Sequence, residues 1–203
     1  MNLSVCIITK NEKENLEKCL QALAGYDLEI VVADTGSTDG TLEMIRNYTG
    51  SVYEFTWCDD FAKARNFAIS KAVNDRILVL DSDEYVQKMD IKQIQSCFEQ
   101  FPEGIGKIRI KNYFYQKNEI QEEVEYINRL FDRRYYQYEG KIHEQLVRKD
   151  GESIQTYQAP VLINHSGYLL TKEEKWAKAE RNISLLKQTL EENGEDPYIL
   201  YQL

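Results

Sequence analysis

A run of four apolar residues at positions 77–80 ends directly in the acidic segment Asp81-Ser82-Asp83-Glu84. Such a run is typical of a strand that is buried on both faces of a parallel or mixed sheet. Open α/β sheets bind ligands beyond the carboxyl ends of their strands. Two aspartates separated by one residue can direct their oxygens at one Mg²⁺ or Mn²⁺ ion, although a solvated acidic turn has the same sequence. The segment therefore predicts a central strand with a candidate metal site at its end.

The residues before this segment alternate between strand and helix patterns. Predicted strands cover residues 3–9, 29–34 and 52–56. Apolar residues at helical spacing follow each strand, which predicts parallel strands with covering helices. Asp34 ends the second strand as Asp81 ends the fourth, so we expect both carboxylates at the same edge of the sheet.

Two helix starts are predicted from their capping residues. Asn11, with Glu14 three residues later, is interpreted as a capping pair at the start of the first helix. Asp59 or Asp60 is predicted to cap the third helix, whose apolar face begins at Phe61.

Composition and motif content exclude several classes of protein. The net charge is −9 over 203 residues, whereas nucleic-acid binding needs clustered positive charge. No apolar run is long enough for a membrane span. Neither the glycine pattern of a dinucleotide-binding fold nor that of a P-loop occurs. The four cysteines are dispersed without a CxxC pair, and they predict reduced thiols in a cytoplasmic protein.

The second half of the chain has a different pattern. Further strands are predicted at residues 106–115, 125–134 and 161–165. Apolar and polar residues alternate in residues 106–115, which is typical of an antiparallel strand. Residues 116–123 are predicted to be a charged hairpin or loop. Residues 138–144 form a predicted turn that carries His143 and Glu144.

A long helix is predicted from residue 172 to about residue 192, followed by the start of another helix near Asp196. Its predicted apolar seam consists of Trp176, Ala179, Ile183, Leu186 and Leu190. We interpret this seam as a surface for docking or for a homodimer through the C-terminal helices. We expect residues 169–203 to be a helical extension that is either cut short or dependent on a partner.

Four motifs occur in the order and spacing of a known family, at residues 4–12, 34–41, 64–66 and 81–83. They extend over about half of the chain and resemble the family 2 glycosyltransferases. Residues 129–131, 138–144 and 165–168 are similar to a bacterial subgroup whose catalytic domain continues into tetratricopeptide helices. The resemblance implies a GT-A fold, which is an α/β fold of three layers, α/β/α, with a central mixed, mostly parallel sheet and a C-terminal helix.

The resemblance also implies how the chain is divided. Residues 1–168 would form the GT-A domain, with a nucleotide-sugar-binding half at residues 1–84 and an acceptor half at residues 85–168. The helical extension would begin at residue 169.

The resemblance implies an inverting transfer of a sugar from a UDP-sugar, of the UDP-glucose or UDP-GlcNAc type, to a saccharide, lipid or protein acceptor. The residues implied to bind the nucleotide sugar are Thr9, Asn11, Glu12, Asp34, Arg65, Asp81 and Ser82. Among them, Asp34 would accept the N–H of the base. Asp83 would hold Mn²⁺ or Mg²⁺ against the diphosphate, with Asp81 on the ribose or the metal and His165 as a third ligand.

The chemistry of an inverting displacement agrees with these roles. The leaving nucleoside diphosphate gains negative charge, which a divalent cation and arginines stabilise. The acceptor needs a general base, and a carboxylate serves this purpose. Glu144 is the candidate base, with His143 as a phosphate or acceptor contact. The alternatives are that Glu144 orients His143 or pairs with Arg129, and that His165 only ends a strand.

A second class of function stays open from the sequence alone. The chain could be a non-catalytic nucleotide-sugar-binding protein, or a scaffold that recruits partners through its helical tail. The acidic segment and the pair His143 and Glu144 favour the enzyme.

Overall fold

The computed structural model describes residues 2–116, 119–165, 172–194 and 197–202. The strands are β1 (Ser4–Thr9), β2 (Glu29–Asp34), β3 (Val52–Glu54), β4 (Arg76–Asp81), β5 (Glu84–Met89), β6 (Ile105–Gln116), β7 (Glu119–Asp132), β8 (Tyr136–Glu139), β9 (Gln145–Arg148) and β10 (Thr156–His165). The helices are α1 (Lys13–Leu23), α2 (Thr41–Ile45), α3 (Phe61–Lys71), α4 (Ile91–Gln100), α5 (Lys172–Asn193) and α6 (Pro197–Gln202).

Eight strands form one mixed sheet in the order β3-β2-β1-β4-β7-β6-β10-β5. The first four strands of that order are joined by parallel pairs, and β6 pairs with β10 in parallel as well. In contrast, β7 runs antiparallel to β4 and β6, and β5 runs antiparallel to β10. The predicted α/β class, with a mixed and mostly parallel sheet, is confirmed.

The central strand β1 sends alternate side chains to the two faces of the sheet. Val5 and Ile7 belong to an apolar cluster with residues of α1, α2 and α4, whereas Cys6 belongs to a second cluster with Ala68 of α3 and Phe131 of β7. The second cluster also includes residues of β8 and β9. Helices therefore cover one face of the sheet, while α3 and the β8–β9 hairpin cover the other, which makes three layers.

Three strands have no counterpart in the sequence prediction: β5, β8 and β9. β5 is an edge strand in which the successive residues Gln87 and Lys88 are both exposed, so its alternation is interrupted. β8 and β9 have four residues each, which is too few for a period of two to be recognised.

The predicted capping role of Asn11 is wrong, whereas that of Asp60 is confirmed. Glu12 is the residue that precedes α1, and its side chain makes no capping hydrogen bond. Asn11 has a φ of 54°, and its Oδ1 accepts a hydrogen bond of 2.7 Å from the Thr38 backbone N–H. Asn11 thus joins the loop after β1 to the loop after β2. Asp60 accepts a hydrogen bond of 2.8 Å from the Lys63 backbone N–H at the start of α3.

The predicted seam of the long helix is wrong in part. Leu186 and Leu190 do face the protein, and Leu186 joins an apolar cluster with Ile142 of the loop between β8 and β9. Trp176 is 70% exposed and Ile183 is 42% exposed, so neither belongs to the buried face. The face is set by what the helix covers: Leu185 and Leu186 pack with Ile142 of the β8–β9 loop and with Ile199 of α6.

Three predictions fall outside the described residues: residues 166–168 of the segment 165–168, the boundary at 168/169, and Asp196. No helix in the described ranges has the length and apolar character that a membrane span requires.

Candidate active site

Three neighbouring parallel strands carry polar residues to one edge of the sheet. Thr9 of β1 lies opposite Asp34 of β2, and Ile8 lies opposite Asp81 of β4. A cavity of about 660 Å³ opens at this edge. The predicted site residues that line it are Thr9, Glu12, Arg65, Asp81, Ser82, Asp83, His143, Glu144 and His165. The chain therefore brings together residues from both halves of the sequence.

Asn11 and Asp34 are the predicted residues that do not line this cavity. Asn11 is exposed in the loop contact described above. Asp34 is 3% exposed, and its Oδ1 accepts hydrogen bonds from the backbone N–H groups of Gly36 and Ser37 at 2.9 and 2.8 Å.

Two buried oxygens at this edge have no hydrogen-bond partner among the described residues: Oδ2 of Asp34 and Oγ1 of Thr9. Leaving a buried polar atom without a partner costs about 1–3 kcal/mol, so such atoms are usually satisfied by protein, water or ligand. A carboxylate oxygen can only accept and a hydroxyl can do both. The ends of β1 and β2 therefore each keep one polar oxygen whose hydrogen-bonding capacity is unused among the described residues.

Asp81 is held by two arginines. Its Oδ1 lies 2.7 Å from Nη2 of Arg65, and its Oδ2 lies 2.7 Å from Nη2 of Arg129. Burial alone would raise the pKa of Asp81, but the charges of Arg129 and Arg65 outweigh it and hold the pKa far below the ordinary range. Since both oxygens receive guanidinium hydrogen bonds, these contacts favour Asp81 as a support of the site.

Arg65 also contacts the candidate base. Its Nε donates a hydrogen bond of 2.5 Å to Oε1 of Glu144. Of the roles considered for Glu144, pairing with an arginine is thus observed, but the arginine is Arg65 and not Arg129. The Arg65 side chain also lies beside the ring of Tyr138, with its guanidinium carbon 5.6 Å from the ring centroid.

Glu84 completes the buried ionic network beneath the cavity. It is 2% exposed, its Oε2 accepts a hydrogen bond from the Asp81 backbone N–H, and its Oε1 lies 3.3 Å from Nη2 of Arg129. Burial is the largest influence on Glu84 and, with the nearby charge of Asp81, raises its pKa. Glu84 does not line the cavity, so it holds the turn after β4 in place.

Asp83 and His165 form the pair that is best suited to a metal ion. Oδ2 of Asp83 lies 3.3 Å from Nε2 of His165, and Nδ1 of His165 lies 2.8 Å from Oδ1 of Asn112. Because the amide oxygen of Asn112 can only accept, it fixes the proton on Nδ1 and leaves Nε2 directed at Asp83. Burial tends to lower the pKa of His165, but the hydrogen bond and charge of Asp83 outweigh burial and raise it.

The donor set fits a divalent cation that takes further ligands from its substrate. A carboxylate oxygen and an imidazole nitrogen are both ligands of Mn²⁺-type ions. Among the described residues, no group of three or more His, Cys, Asp or Glu side chains is arranged to hold a metal. Mg²⁺ sites in phosphate-binding enzymes commonly use one or two protein ligands together with phosphate oxygens and water.

The loop that carries His143 and Glu144 is anchored on two sides. His143 has a φ of 52° and an exposed side chain, and its carbonyl oxygen accepts a hydrogen bond from the Gln145 side chain. On one side, the Phe61 backbone N–H at the start of α3 donates to the carbonyl oxygen of Lys141. On the other side, Ile142 packs against α5, and Lys141 forms an ion pair with Glu192 of that helix.

Sequence reasoning missed several residues of the site. Asn66, which stands in the third motif, makes two hydrogen bonds to the backbone of Tyr138, at 2.8 and 2.9 Å, and so fixes β8 against α3. Asn112 had no signal in the sequence, because its role depends on the pairing of β6 with β10. Further cavity-lining residues outside the predicted set include Trp57, Phe61, Arg181 and Asn182. The last two belong to α5, so the predicted extension contributes to the cavity wall.

Comparison with known proteins identifies the family to which the chain belongs. Residues 4–155 match the family model described as glycosyl transferase family 2. The chain therefore belongs to the family 2 glycosyltransferases, and the predicted family is confirmed.

Relatives with similar sequences extend beyond the chain. A TPR repeat-containing protein of Synechococcus elongatus is 30% identical over 99% of this chain and 51% of its own length. The SPbeta prophage-derived glycosyltransferase SunS of Bacillus subtilis is 28% identical over 96% of this chain and 46% of its own length. The chain thus spans about half the length of these relatives.

Solved structures support the fold. Staphylococcus aureus TarS 1-349 in complex with UDP-GlcNAc has a TM-score of 0.56 at 16% identity, covering 98% of this chain and 69% of that one. The mannosyltransferase PcManGT of Pyrobaculum calidifontis, in complex with GDP-Man and Mn²⁺, has a TM-score of 0.55 at 16% identity, covering 98% of this chain and 66% of that one. The predicted GT-A fold is confirmed.

Proposed function

We propose that this chain transfers a sugar from a UDP-sugar, of the UDP-glucose or UDP-GlcNAc type, to a saccharide, lipid or protein acceptor with inversion at the anomeric carbon. The observation that carries the proposal is the shared cavity. It places Thr9, the pair Asp83 and His165, and Glu144 around one space, at the sheet edge where α/β folds bind ligands. The UDP-GlcNAc bound by TarS supports the choice of donor.

The nucleoside would lie over the ends of β1 and β2. The unpartnered Oδ2 of Asp34 would accept a hydrogen bond from the base N–H, and Thr9 would border the base. Asn11 would act on the nucleotide only through the loop it holds, since its Oδ1 is bonded to the Thr38 backbone. Glu12 and Ser82 line the same cavity and would contact the ribose and the phosphates.

Asp83 and His165 would hold a divalent cation, Mn²⁺ or Mg²⁺, beside the diphosphate. When bound, the cation would stabilise the negative charge of the leaving nucleoside diphosphate. Asp81 would orient the side chains of Arg65 and Arg129, to which it is bonded, and would not itself bind the metal ion. The Mn²⁺ in the PcManGT complex supports the use of a divalent metal.

Glu144 would act as the general base. Its Oε1 receives the hydrogen bond from Arg65, so the carboxylate is oriented and Oε2 would take the proton from the acceptor hydroxyl. As that proton leaves, the acceptor oxygen forms a bond to the anomeric carbon, and the bond from that carbon to the phosphate oxygen breaks. His143 would contact the acceptor or a phosphate from the exposed side of the loop.

Calorimetric titration with UDP, with and without Mn²⁺, tests donor and metal binding together. We expect wild-type protein to bind UDP only with Mn²⁺, and Asp83→Ala to lose this binding. Asp150→Ala serves as the control, because Asp150 is an exposed carboxylate paired with Arg148 away from the cavity. Metal-independent binding that survives in Asp83→Ala would remove the metal role.

Glu144→Gln tests catalysis separately from binding. We expect it to bind UDP as the wild type does and to lose release of sugar from the UDP-sugar. A wild-type rate in Glu144→Gln would exclude Glu144 as the base. If wild-type protein binds UDP-sugars but turns over none of them, the chain is the non-catalytic binding protein considered above. The cytoplasmic location and the homodimer remain predictions.

A further inference from the structure

Glu12 lies directly before α1 and lines the cavity of the candidate active site. Its side chain does not cap the helix. Instead, Oε2 of Glu12 accepts a hydrogen bond of 2.8 Å from Nδ2 of Asn15, which is in the first turn of α1. The contact with Asn15 thus sets the direction of a carboxylate in the cavity wall.

Asn15 is itself held from the side of strand β5. Its Oδ1 accepts a hydrogen bond of 2.9 Å from the hydroxyl of Tyr85. Tyr85 follows Asp83 by two residues and packs against the apolar cluster that includes Leu16 of α1. Two hydrogen bonds in series therefore join the strand that follows Asp83 to the carboxylate of Glu12.

The donors and acceptors in this series match at each step. A carboxylate can only accept, so the NH₂ group of Asn15 must face Glu12. The amide oxygen of Asn15 then faces Tyr85, whose hydroxyl can donate. Rotating the amide by half a turn would place its oxygen against the carboxylate, so the observed orientation is the one that both neighbours favour.

The place of Glu12 in the fold indicates which part of a nucleotide it would meet. Strand β1, which precedes Glu12, lies between β2 and β4 in the sheet. The base is proposed to bind at Asp34 of β2, and the diphosphate at Asp83, after β4. Because the ribose joins these two parts of a nucleotide, it would lie over the end of β1, beside Glu12.

The charge of Glu12 supports the same assignment. Phosphate oxygens are negatively charged and accept hydrogen bonds, so a carboxylate repels them. Ribose hydroxyl groups can donate to a carboxylate, which has room for several hydrogen bonds. Glu12 is therefore suited to contact the ribose.

We propose that Asn15 and Tyr85 are positioning residues, which hold the carboxylate of Glu12 toward the ribose hydroxyl groups and so make the site selective for ribonucleotides over deoxyribonucleotides. Neither Asn15 nor Tyr85 is among the described lining residues of the cavity, so both would act through Glu12. The inference rests on the proposed function and deepens it, because it assigns the nucleotide selectivity of that site to two residues outside the cavity wall.

Calorimetric titration of the whole chain with UDP, 2′-deoxy-UDP and 3′-deoxy-UDP, in the presence of Mn²⁺, tests this selectivity. We expect wild-type protein to bind UDP more tightly than at least one of the two analogues by about 10-fold or more, as one hydrogen bond to a charged acceptor predicts. Asn15→Leu, which keeps the approximate shape but no polar atom, should reduce this preference to about 3-fold or less, mainly by weakening the binding of UDP. Tyr85→Phe should reduce the preference in the same direction.

Tyr48→Phe is the matched control. The Tyr48 hydroxyl donates a hydrogen bond of 3.2 Å to Oε1 of Glu17, which also belongs to α1, and neither residue is among the described lining residues of the cavity. Tyr48→Phe should keep the wild-type selectivity. In a Glu12→Ala background, Asn15→Leu should cause no further change in selectivity, because the residue through which Asn15 acts is gone.

The outcomes separate this inference from the proposed function. If Asn15→Leu weakens the binding of UDP and of both analogues equally, Asn15 has a structural role only and the inference is wrong. Wild-type protein that binds UDP and both analogues with equal affinity would also overturn it and would leave the donor site standing. Wild-type protein that binds none of the three nucleotides would overturn the proposed function itself. If Asn15→Leu does not fold, Tyr85→Phe decides, and unchanged selectivity in that variant would contradict the inference.

Discussion

The guanidinium group of Arg65 joins Asp81, at the end of β4, to Glu144, which lies 79 residues away from Arg65 in the sequence. One side chain thus connects the carboxyl end of β4 to the candidate base. A lysine at this position has one point charge and lacks the planar fork, so it cannot satisfy both carboxylates in the same geometry.

Arg65→Lys should therefore lower the rate of sugar transfer by on the order of 10²-fold, because the carboxylate of Glu144 loses its orientation. The measurement is steady-state turnover with calorimetric UDP binding alongside. Arg133→Lys is a suitable control, since Arg133 binds Asp75 and carbonyl oxygens at the end of α3, away from the cavity. If Arg65→Lys and Arg133→Lys lower the turnover rate equally, the cause is a general loss of stability.

Asp81→Asn should destabilise the protein, because it leaves Arg65 and Arg129 without their shared anion. Removing the partner of a fully buried charge costs about 3–5 kcal/mol. The two arginines are buried but the Asp81 side chain is 31% exposed, so water screens the pair and we expect a smaller loss than this. The folded-state pKa of Asp81 is depressed, so its contribution is fully present above the unfolded-state pKa of about 3.9 and is lost as the pH falls below it. Denaturant unfolding gives the free energy of unfolding of both proteins. The difference between wild type and Asp81→Asn should be constant from neutral pH down to about pH 5 and should become smaller below about pH 4. Narrowing that starts near neutral pH would contradict this assignment.

Asn112→Ala should weaken Mn²⁺ binding by about 10–100-fold, because His165 loses the partner that orients its ring. Direct metal titration, monitored by electron paramagnetic resonance of free Mn²⁺, gives the affinity without any turnover. Tyr113→Phe, at the next position of β6, is the control, because the Tyr113 hydroxyl lies near Asn164 and not near His165. An unchanged affinity in Asn112→Ala would exclude His165 as an oriented ligand.

Asp34→Asn should weaken UDP binding by on the order of 10–100-fold, as expected for loss of a hydrogen bond to a charged acceptor. The amide can keep its oxygen on the Gly36 and Ser37 N–H groups, so its NH₂ replaces the unpartnered Oδ2. A donor at this point suits cytosine better than uracil, so the preference for UDP over CDP should decrease. Asp39→Asn is the control, because Asp39 accepts hydrogen bonds only from Thr41 and from the Lys13 backbone N–H among the contacts given for it, and none of these residues lines the cavity. Equal effects of both variants would argue against base recognition by Asp34.

Leu186→Ala should destabilise the contact between α5 and the loop that carries Glu144. Leu186 is 2% exposed and packs with Ile142, and truncation of a buried leucine costs about 2–5 kcal/mol. Hydrogen exchange at residues 140–145 should become faster, and transfer should slow. Ile183→Ala, on the exposed side of the same helix, should change stability by no more than about 0.5 kcal/mol. If exchange in the loop is unaffected by Leu186→Ala, α5 does not support the site.

The sequence predicts the first half of the fold well, because the patterns of its strands depend only on residues that are close together in the chain. Each of β1, β2 and β4 is a buried strand with an uninterrupted apolar run, so its pattern does not depend on partners far along the chain. The edge strand β5 and the short strands β8 and β9 lack such a run and are found only in the structure. The exposed position of Trp176 was equally beyond prediction, because the docked face of α5 is chosen by Ile142 of a distant loop.

Most of the predicted residues do line the candidate cavity, but the contacts between them could not be predicted. The positions of Asp81, Asp83 and Glu144 follow from motifs, whereas the pairing of Arg65 with Glu144 requires α3 and the β8–β9 loop to meet. The role of Asn112 depends in the same way on the pairing of β6 with β10. Ionic and hydrogen-bonded partners far apart in sequence carry no local periodicity, so a single sequence gives no signal for them.

Arg65 and Asn66 are adjacent on α3, so their side chains leave the helix about 100° apart. The first reaches Asp81 and Glu144, and the second holds the backbone of β8. A shift or rotation of α3 would therefore disturb both the ionic contacts of Asp81 and Glu144 and the position of β8 in a single step. If the chain transfers sugars as proposed, changes of acceptor preference, whether by selection or by engineering, should accumulate in the predicted acceptor half, residues 85–168, and leave α3 untouched, because this helix sets the common frame to which both regions are fitted.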